Sequence, residues 1–158
     1  MAIKAEVGLL SRNIKVTGDS SSYSSNYGAH LKLSGQVENG FEAQVAYSEF
    51  TLCGQPQIPG RYCLYFHMNG EVPNSYAKGN SVHESFGRVV TMHGVHLLTV
   101  EENIGFRARG HNFFFVDGSE TRNIIRRNLA VSTLINANMY QSDLSIYSFN
   151  FINQDEAF

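Results

Sequence analysis

The chain has 158 residues, with 12 Lys and Arg against 14 Asp and Glu, for a net charge of -2. That length fits one domain with an enclosed core, and the absence of a basic excess excludes a general nucleic-acid binder. At 42% hydrophobic and 16% charged, the composition excludes disorder and coiled coil, and no apolar run reaches the ~20 residues needed to span a bilayer. Two cysteines are too few for a disulfide scaffold.

Taken from the N-terminus, Met1-Ala2-Ile3-Lys4 carries neither a basic leader nor a small-residue cleavage site. The first run with strand character is Asn13-Ile14-Lys15-Val16, and the serine-rich stretch Ser20 to Asn26 reads as an exposed loop. Leu31-Lys32-Leu33 follows, then Leu64 to Asn69, Arg88 to His93 and Asn112 to Asp117, all short β-branched or aromatic runs bounded by Gly or Asn. Nothing sustains a helical i, i+3, i+4, i+7 pattern over three turns. Leu144 to Phe151 is again rich in β-formers. Both ends look uncapped, with Val7 to Leu10 near one and Phe149, Phe151 and Phe158 at the other, so residues 1–158 read as one β-segment cut from a longer protein.

Two registers repeat. Gly70, Gly94 and Gly118 are each 24 residues apart and close three of the apolar runs. Asn80, Asn103 and Asn128 are spaced 23 and 25. A period of this size, with strands and no helix in the unit, predicts an all-β, right-handed parallel β-helix with coils of about 24 residues, six or seven in all. Stacked coils place equivalent residues about 4.8 Å apart, so the asparagines are expected to form a corner ladder and the glycines to supply bends.

Several motifs resemble, in order, the β-helix of the fibrocystin-L and cell-migration-inducing hyaluronidase group. They are Glu6 to Ile14, Gly60-Arg61-Tyr62, Phe66-His67-Met68, Ser75-Tyr76, Gly110-His111-Asn112-Phe113-Phe114 and Asp117-Gly118. The resemblance covers about Ala5 to Phe158, and the run Ser75 to Leu129 looks closer to the fibrocystin-L branch. It implies a module of a large extracellular or membrane-tethered protein, and a relationship to enzymes acting on hyaluronan. Two departures stand out. Val116 occupies the first position of what the group has as an acidic pair before the glycine, and Gly28-Ala29-His30 replaces Gly-Gly-His.

The glycine register aligns Asn69, His93 and Asp117 in one column, where a His beside a carboxylate suits proton transfer. The same column also suits a purely structural polar corner. Alternation sets His67 on the face opposite Phe66 and Met68. His67, His93 and Asp117 are therefore the acid–base candidates if the protein is an enzyme. Arg12, Asp19, His30, Arg61, Arg107, Arg109 and His111 are candidates for contacting a ligand, with Arg12 or Arg61 holding a sugar carboxylate. Arg12 and Asp19 read equally well as a surface ion pair. Among Arg107, Arg109, Arg122, Arg126 and Arg127, the asparagine register places Arg126 with Lys78 and Glu101 in an alternating-charge ladder, which leaves Arg107 and Arg109 free of it.

His93-Gly94-Val95-His96 lacks a second ligand pair, so no metal is expected, and no cofactor fingerprint occurs. Cys53 and Cys63 are near enough in sequence to bridge, without the spacing deciding it. Two functions follow. One is a rigid, non-catalytic surface module contacting a glycan or a protein. The other is a depolymerase of acidic glycans. The missing acid at Val116 favours the first, since glycoside hydrolysis ordinarily needs two carboxylates.

Overall fold

The computed structural model describes residues 5–134 and a short strand at 149–150. Its strands form three parallel sheets wound as a parallel β-helix. The first sheet runs β1 (Ile14–Thr17), β4 (Ser48–Thr51), β7 (Ser81–His83), β10 (Ile104–Phe106) and β13 (Leu129–Val131). The second holds β2 (Leu31–Leu33), β5 (Leu64–Glu71), β8 (Val90–His96), β11 (Phe113–Phe115) and β14 (Phe149–Asn150). The third holds β3 (Gln44–Ala46), β6 (Tyr76–Lys78), β9 (Thr99–Glu101) and β12 (Ile124–Arg126). Phe151, Phe158 and most of the β-rich run before Phe149 lie outside the described residues.

Each coil sends alternate side chains inward, and register stacks them. Val45, Ala77, Val100 and Ile125 form one internal column. Phe66, Met92 and Phe115 form another, and Leu64, Val90 and Phe113 a third. Phe50, Phe66, Phe113, Leu64 and Met92 are essentially inaccessible. The first sheet's column runs Val16, Phe50, Val82, Gly105, Ala130, narrowing toward its far end. At Gly105 a side chain has no room: a Cβ there would sit 1.9 Å from Asn112 Oδ1.

The asparagines stack at the corner before the first sheet. Asn80 donates from its backbone N and from Nδ2 to Asn103 Oδ1, at 3.1 and 3.0 Å. Asn103 repeats the pattern onto Asn128 Oδ1 at 2.9 and 3.0 Å. Ser48 N donates to Asn80 Oδ1 across 32 residues, whereas the next two steps are 23 and 25. The early coils are therefore longer. They carry the one-turn helix Ser22–Ser25 and the 3-10 turn Val37–Asn39, and the longest sheets of the described residues hold five strands rather than six or seven.

The glycine register requires correction. Gly70 pairs with Val95, not Gly94, and the pairing shifts between His67 and Gly70. Met68, at φ +52°, takes up this bulge. His67 thus lies beside His93, while Asn69 turns away and donates to Gly35 O at 3.0 Å. The column Asn69–His93–Asp117 does not form. Along β5–β8 the pairing step falls from 26 residues at His67 to 25 at Gly70, and the bulge absorbs that one-residue difference.

Candidate functional site

The outward face of the second sheet carries the chemistry. Lys32, Tyr65, Thr91 and Phe114 are successive register partners across β2, β5, β8 and β11. Two residues along, His67 pairs with His93. Phe66 and Met92 point into the core, so Tyr65, His67 and His93 share the opposite face by simple alternation.

Tyr65 joins the two histidines. Its Oη lies 2.6 Å from His67 Nδ1 and 2.8 Å from His93 Nδ1. On the far side of His93, Nε2 lies 3.1 Å from Asp117 Oδ2. The His93 side chain is 24% exposed and that of Asp117 42%, whereas Tyr65 is only 4% exposed. Burial, with the neighbouring Tyr62 phenol and the Asp117 charge, pushes the Tyr65 hydroxyl up to about 12 against a partial offset from Arg88. Burial also holds His67 below its ordinary value, helped by the nearby Lys32 cation and by His93. His67 is therefore a neutral imidazole at pH 7 and Tyr65 a protonated phenol.

Around this cluster the cations are stacked on rings. Lys32 Nζ lies 5.7 Å from the Tyr65 ring centroid. Arg88 is almost fully buried, with its guanidinium 3.6 Å above Phe114 and 4.8 Å from Tyr62. Tyr62 meets Tyr65 edge-on, and it follows directly on Arg61 within the loop closed by the disulfide Cys53–Cys63. Glu120 Oε1 accepts from the backbone N–H of Gly94 at 3.0 Å and of Asp117 at 3.2 Å, tying the coil after His93 to the turn bearing Asp117.

His67, His93 and Asp117 thus meet, through a phenol that sequence reasoning passed over. The signal for Tyr65 was its position two before His67, which places both on one strand face. The other candidates lie apart. Arg12 donates to the carbonyls of Gly79, Leu9 and Ser11, and its backbone N to Glu49 Oε2, so it pins the N-terminal segment rather than pairing with Asp19. Asp19 closes its own turn through the hydroxyl and N–H of Ser21, which lower its pKa. His30 is exposed, and Arg61 donates to Gln55 Oε1. Arg107 pairs with Glu84 at 2.8 Å, and the Arg109 backbone donates to Ser85 Oγ. His111 is fully buried and stacks on Phe114, beneath the site's edge.

Two further ionic groups are structural in character. Lys78 and Arg126 flank Glu101 at 2.6 Å each, the alternating ladder expected from the asparagine register. Glu49 is buried, which opposes its ionisation, yet Lys15, the Arg12 N–H and His83 together hold its pKa below the ordinary value. No group of three or more potential metal ligands occurs among the described residues. No described helix is long and apolar enough to cross a membrane.

The chain is 35% identical over 149 residues to the human cell surface hyaluronidase CEMIP2, covering 83% of the chain and 10% of that protein. It is 39% identical over 127 residues to a G8 domain-containing protein of Dictyostelium discoideum, covering 80% of the chain and 11% of the relative. A human cell migration-inducing and hyaluronan-binding protein is 35% identical over 138 residues, covering 77% of the chain and 10% of that protein. The chain spans about a tenth of the length of these relatives. Residues 26–157 match the CEMIP beta-helix family, a span that takes in every strand but β1 and every member of the Tyr65–His67–His93–Asp117 cluster, and the chain belongs to that family.

Proposed function

We propose that the chain is a rigid β-helix module of an extracellular or cell-surface protein, closer to the fibrocystin-L branch of its group, that binds an acidic glycan across the outer face of the second sheet. The observation that carries this reading is the pair of register partners Lys32–Tyr65 and His67–His93, two residues apart along one face of the second sheet. A face of this kind presents a cation beside imidazole nitrogens, matching the carboxylates and hydroxyls of an extended acidic chain. Two relatives supply the ligand class by name, one a hyaluronidase and one hyaluronan-binding. The Cys53–Cys63 disulfide suits an oxidising compartment. Stacked coils with internal ladders supply the stiffness a surface module needs.

The test is titration of the chain with hyaluronan at two salt concentrations, beside the double variant Lys32→Ala/His67→Ala. Binding should weaken several-fold in the variant and lose part of its salt dependence. Equal binding by both proteins would remove this face from the function.

A further inference from the structure

The cluster does more than line a face, because its hydrogen bonds have a direction. A carboxylate can only accept, so the proton between Asp117 and His93 resides on His93 Nε2. With Nε2 carrying the ring proton and Nδ1 bare, His93 Nδ1 accepts from the Tyr65 hydroxyl at 2.8 Å. The hydroxyl has one proton, so its oxygen must accept from His67 Nδ1–H at 2.6 Å. That leaves the second nitrogen of His67 without a proton. No hydrogen-bond partner for His67 Nε2 occurs among the described residues.

We infer that Asp117, His93 and Tyr65 form a polarised relay whose accepting end is His67 Nε2, and that this nitrogen is the base of a β-elimination in a uronate-containing glycan. The inference rests on the glycan-binding reading for its substrate and on geometry for its base. Hydrolysis would need two carboxyl groups flanking the bond. The second carboxylate near Asp117 is Glu120, which is 8% exposed and already holds two backbone N–H groups. Elimination needs only one base that later returns its proton.

The step balances without water. His67 Nε2 takes the proton from uronate C5, and the freed electron pair forms the C4–C5 double bond as the C4–O4 bond breaks. The departing O4 then takes the proton back from His67, restoring the neutral imidazole. Lys32 offsets the uronate carboxylate and so acidifies C5. While His67 is charged, its Nδ1–H remains bound to the phenol and the Asp117 charge lies at the far end of the chain. The high pKa of Tyr65 keeps it a proton carrier, not a phenolate base. His67 is thus the catalytic residue, and Tyr65, His93 and Asp117 are positioning residues.

Two measurements on the whole chain test this. Nitrogen-15 NMR of the imidazoles at pH 8 should show His67 as the Nδ1–H tautomer and His93 as the Nε2–H tautomer. His67 in the Nε2–H form overturns the relay. Incubation with hyaluronan should generate the ultraviolet absorbance of unsaturated uronate, reduced on the order of a hundredfold or more in His67→Ala. Tyr65→Phe should slow the reaction and release His67 from its single tautomer. Binding without any unsaturated product overturns the elimination and leaves the binding reading intact, as do new reducing ends without absorbance. Absence of binding with the expected tautomers overturns the glycan reading, and with it the elimination, while leaving the relay.

Discussion

Asn80 donates both its backbone N–H and its Nδ2 to a single oxygen, Oδ1 of Asn103. Asn103 in turn donates Nδ2 to Ala77 O at 2.9 Å and to Asn128. Every polar atom of the Asn103 side chain is thereby used in a place with no solvent access. Replacement by Ala removes the acceptor of the Asn80 backbone N–H, leaves Asn80 Nδ2 with Val45 O alone, and takes a donor from the Ala77 carbonyl. Loss of one buried partner costs about 1–3 kcal/mol. Asn103→Ala should lower stability by at least that amount in urea unfolding, and an unchanged midpoint would mean that water replaces the ladder without penalty.

Gly105 and Asn112 give a second, sharper test of packing. The Asn112 side chain occupies the space a Cβ at Gly105 would need, and its Nδ2 donates to Thr133 Oγ1 at 2.9 Å. Gly105→Ala should cost about 1–3 kcal/mol, the usual range for overpacking. In an Asn112→Ala background the same change should cost much less, because the clashing oxygen is gone. The non-additivity of this double-mutant cycle is the measurement.

How far these relationships could be read beforehand varied with the element. The asparagine spacing located the corner ladder and correctly stacked Lys78, Glu101 and Arg126, because those coils have no insertion between corner and strand. The glycine spacing misled by one residue, since a bulge at Met68 changes the count without changing composition. The N-terminal coils hid the period because a helical turn and a 3-10 turn lengthen them. In the site, His67, His93 and Asp117 announced themselves as chemistry-bearing residue types. Tyr65 did not, because a tyrosine in a β-run is ordinarily packing, and only coordinates reveal that its hydroxyl bridges two coils.

Glu101 sets the acid limit of the third sheet. Hydrogen bonds from Lys78 and then Arg126 outweigh its burial and hold its pKa at about 2, against an ordinary 4.5. A carboxylate depressed on folding contributes stability that is fully present above the unfolded value. That contribution falls away as pH drops from about 4.5 to about 2. Glu101→Gln should therefore flatten the acid limb of a stability–pH curve in this window and destabilise the protein at neutral pH. A limb identical to the parent's would place the acid sensitivity elsewhere, with Glu49 the next residue to test.

The disulfide closes a loop of sequence separation 10 whose interior carries Arg61 and Tyr62, and both cysteines are fully buried. A cross-link of this size contributes roughly 2–4 kcal/mol. The Cys53→Ala/Cys63→Ala pair should lower the melting temperature. It should also loosen Tyr62 from Tyr65 and Arg88, visible as a change in tyrosine fluorescence. A lower melting temperature with unaltered fluorescence would separate the role of the bridge in stability from any role in placing the aromatic edge.

The final expectation concerns the electrostatics of His67. Burial lowers its pKa most, followed by the Lys32 cation from β2 and by His93 from β8. Tyr65, Tyr62, Arg88 and Asp117 complete the titratable and charged surroundings of that face. A histidine depressed on folding is neutral in the native state while the unfolded chain still binds a proton. Stability is therefore present above the unfolded value of about 6.5 and declines as pH falls toward the folded one. Lys32→Gln removes the lysine contribution without touching the ring, so His67 should titrate at higher pH in that variant. The imidazole chemical shift followed against pH reads this directly. If the His67 midpoint stayed where it was, Lys32 would be solvated away from the face, and its assignment as the cation that receives a glycan carboxylate would fall with it.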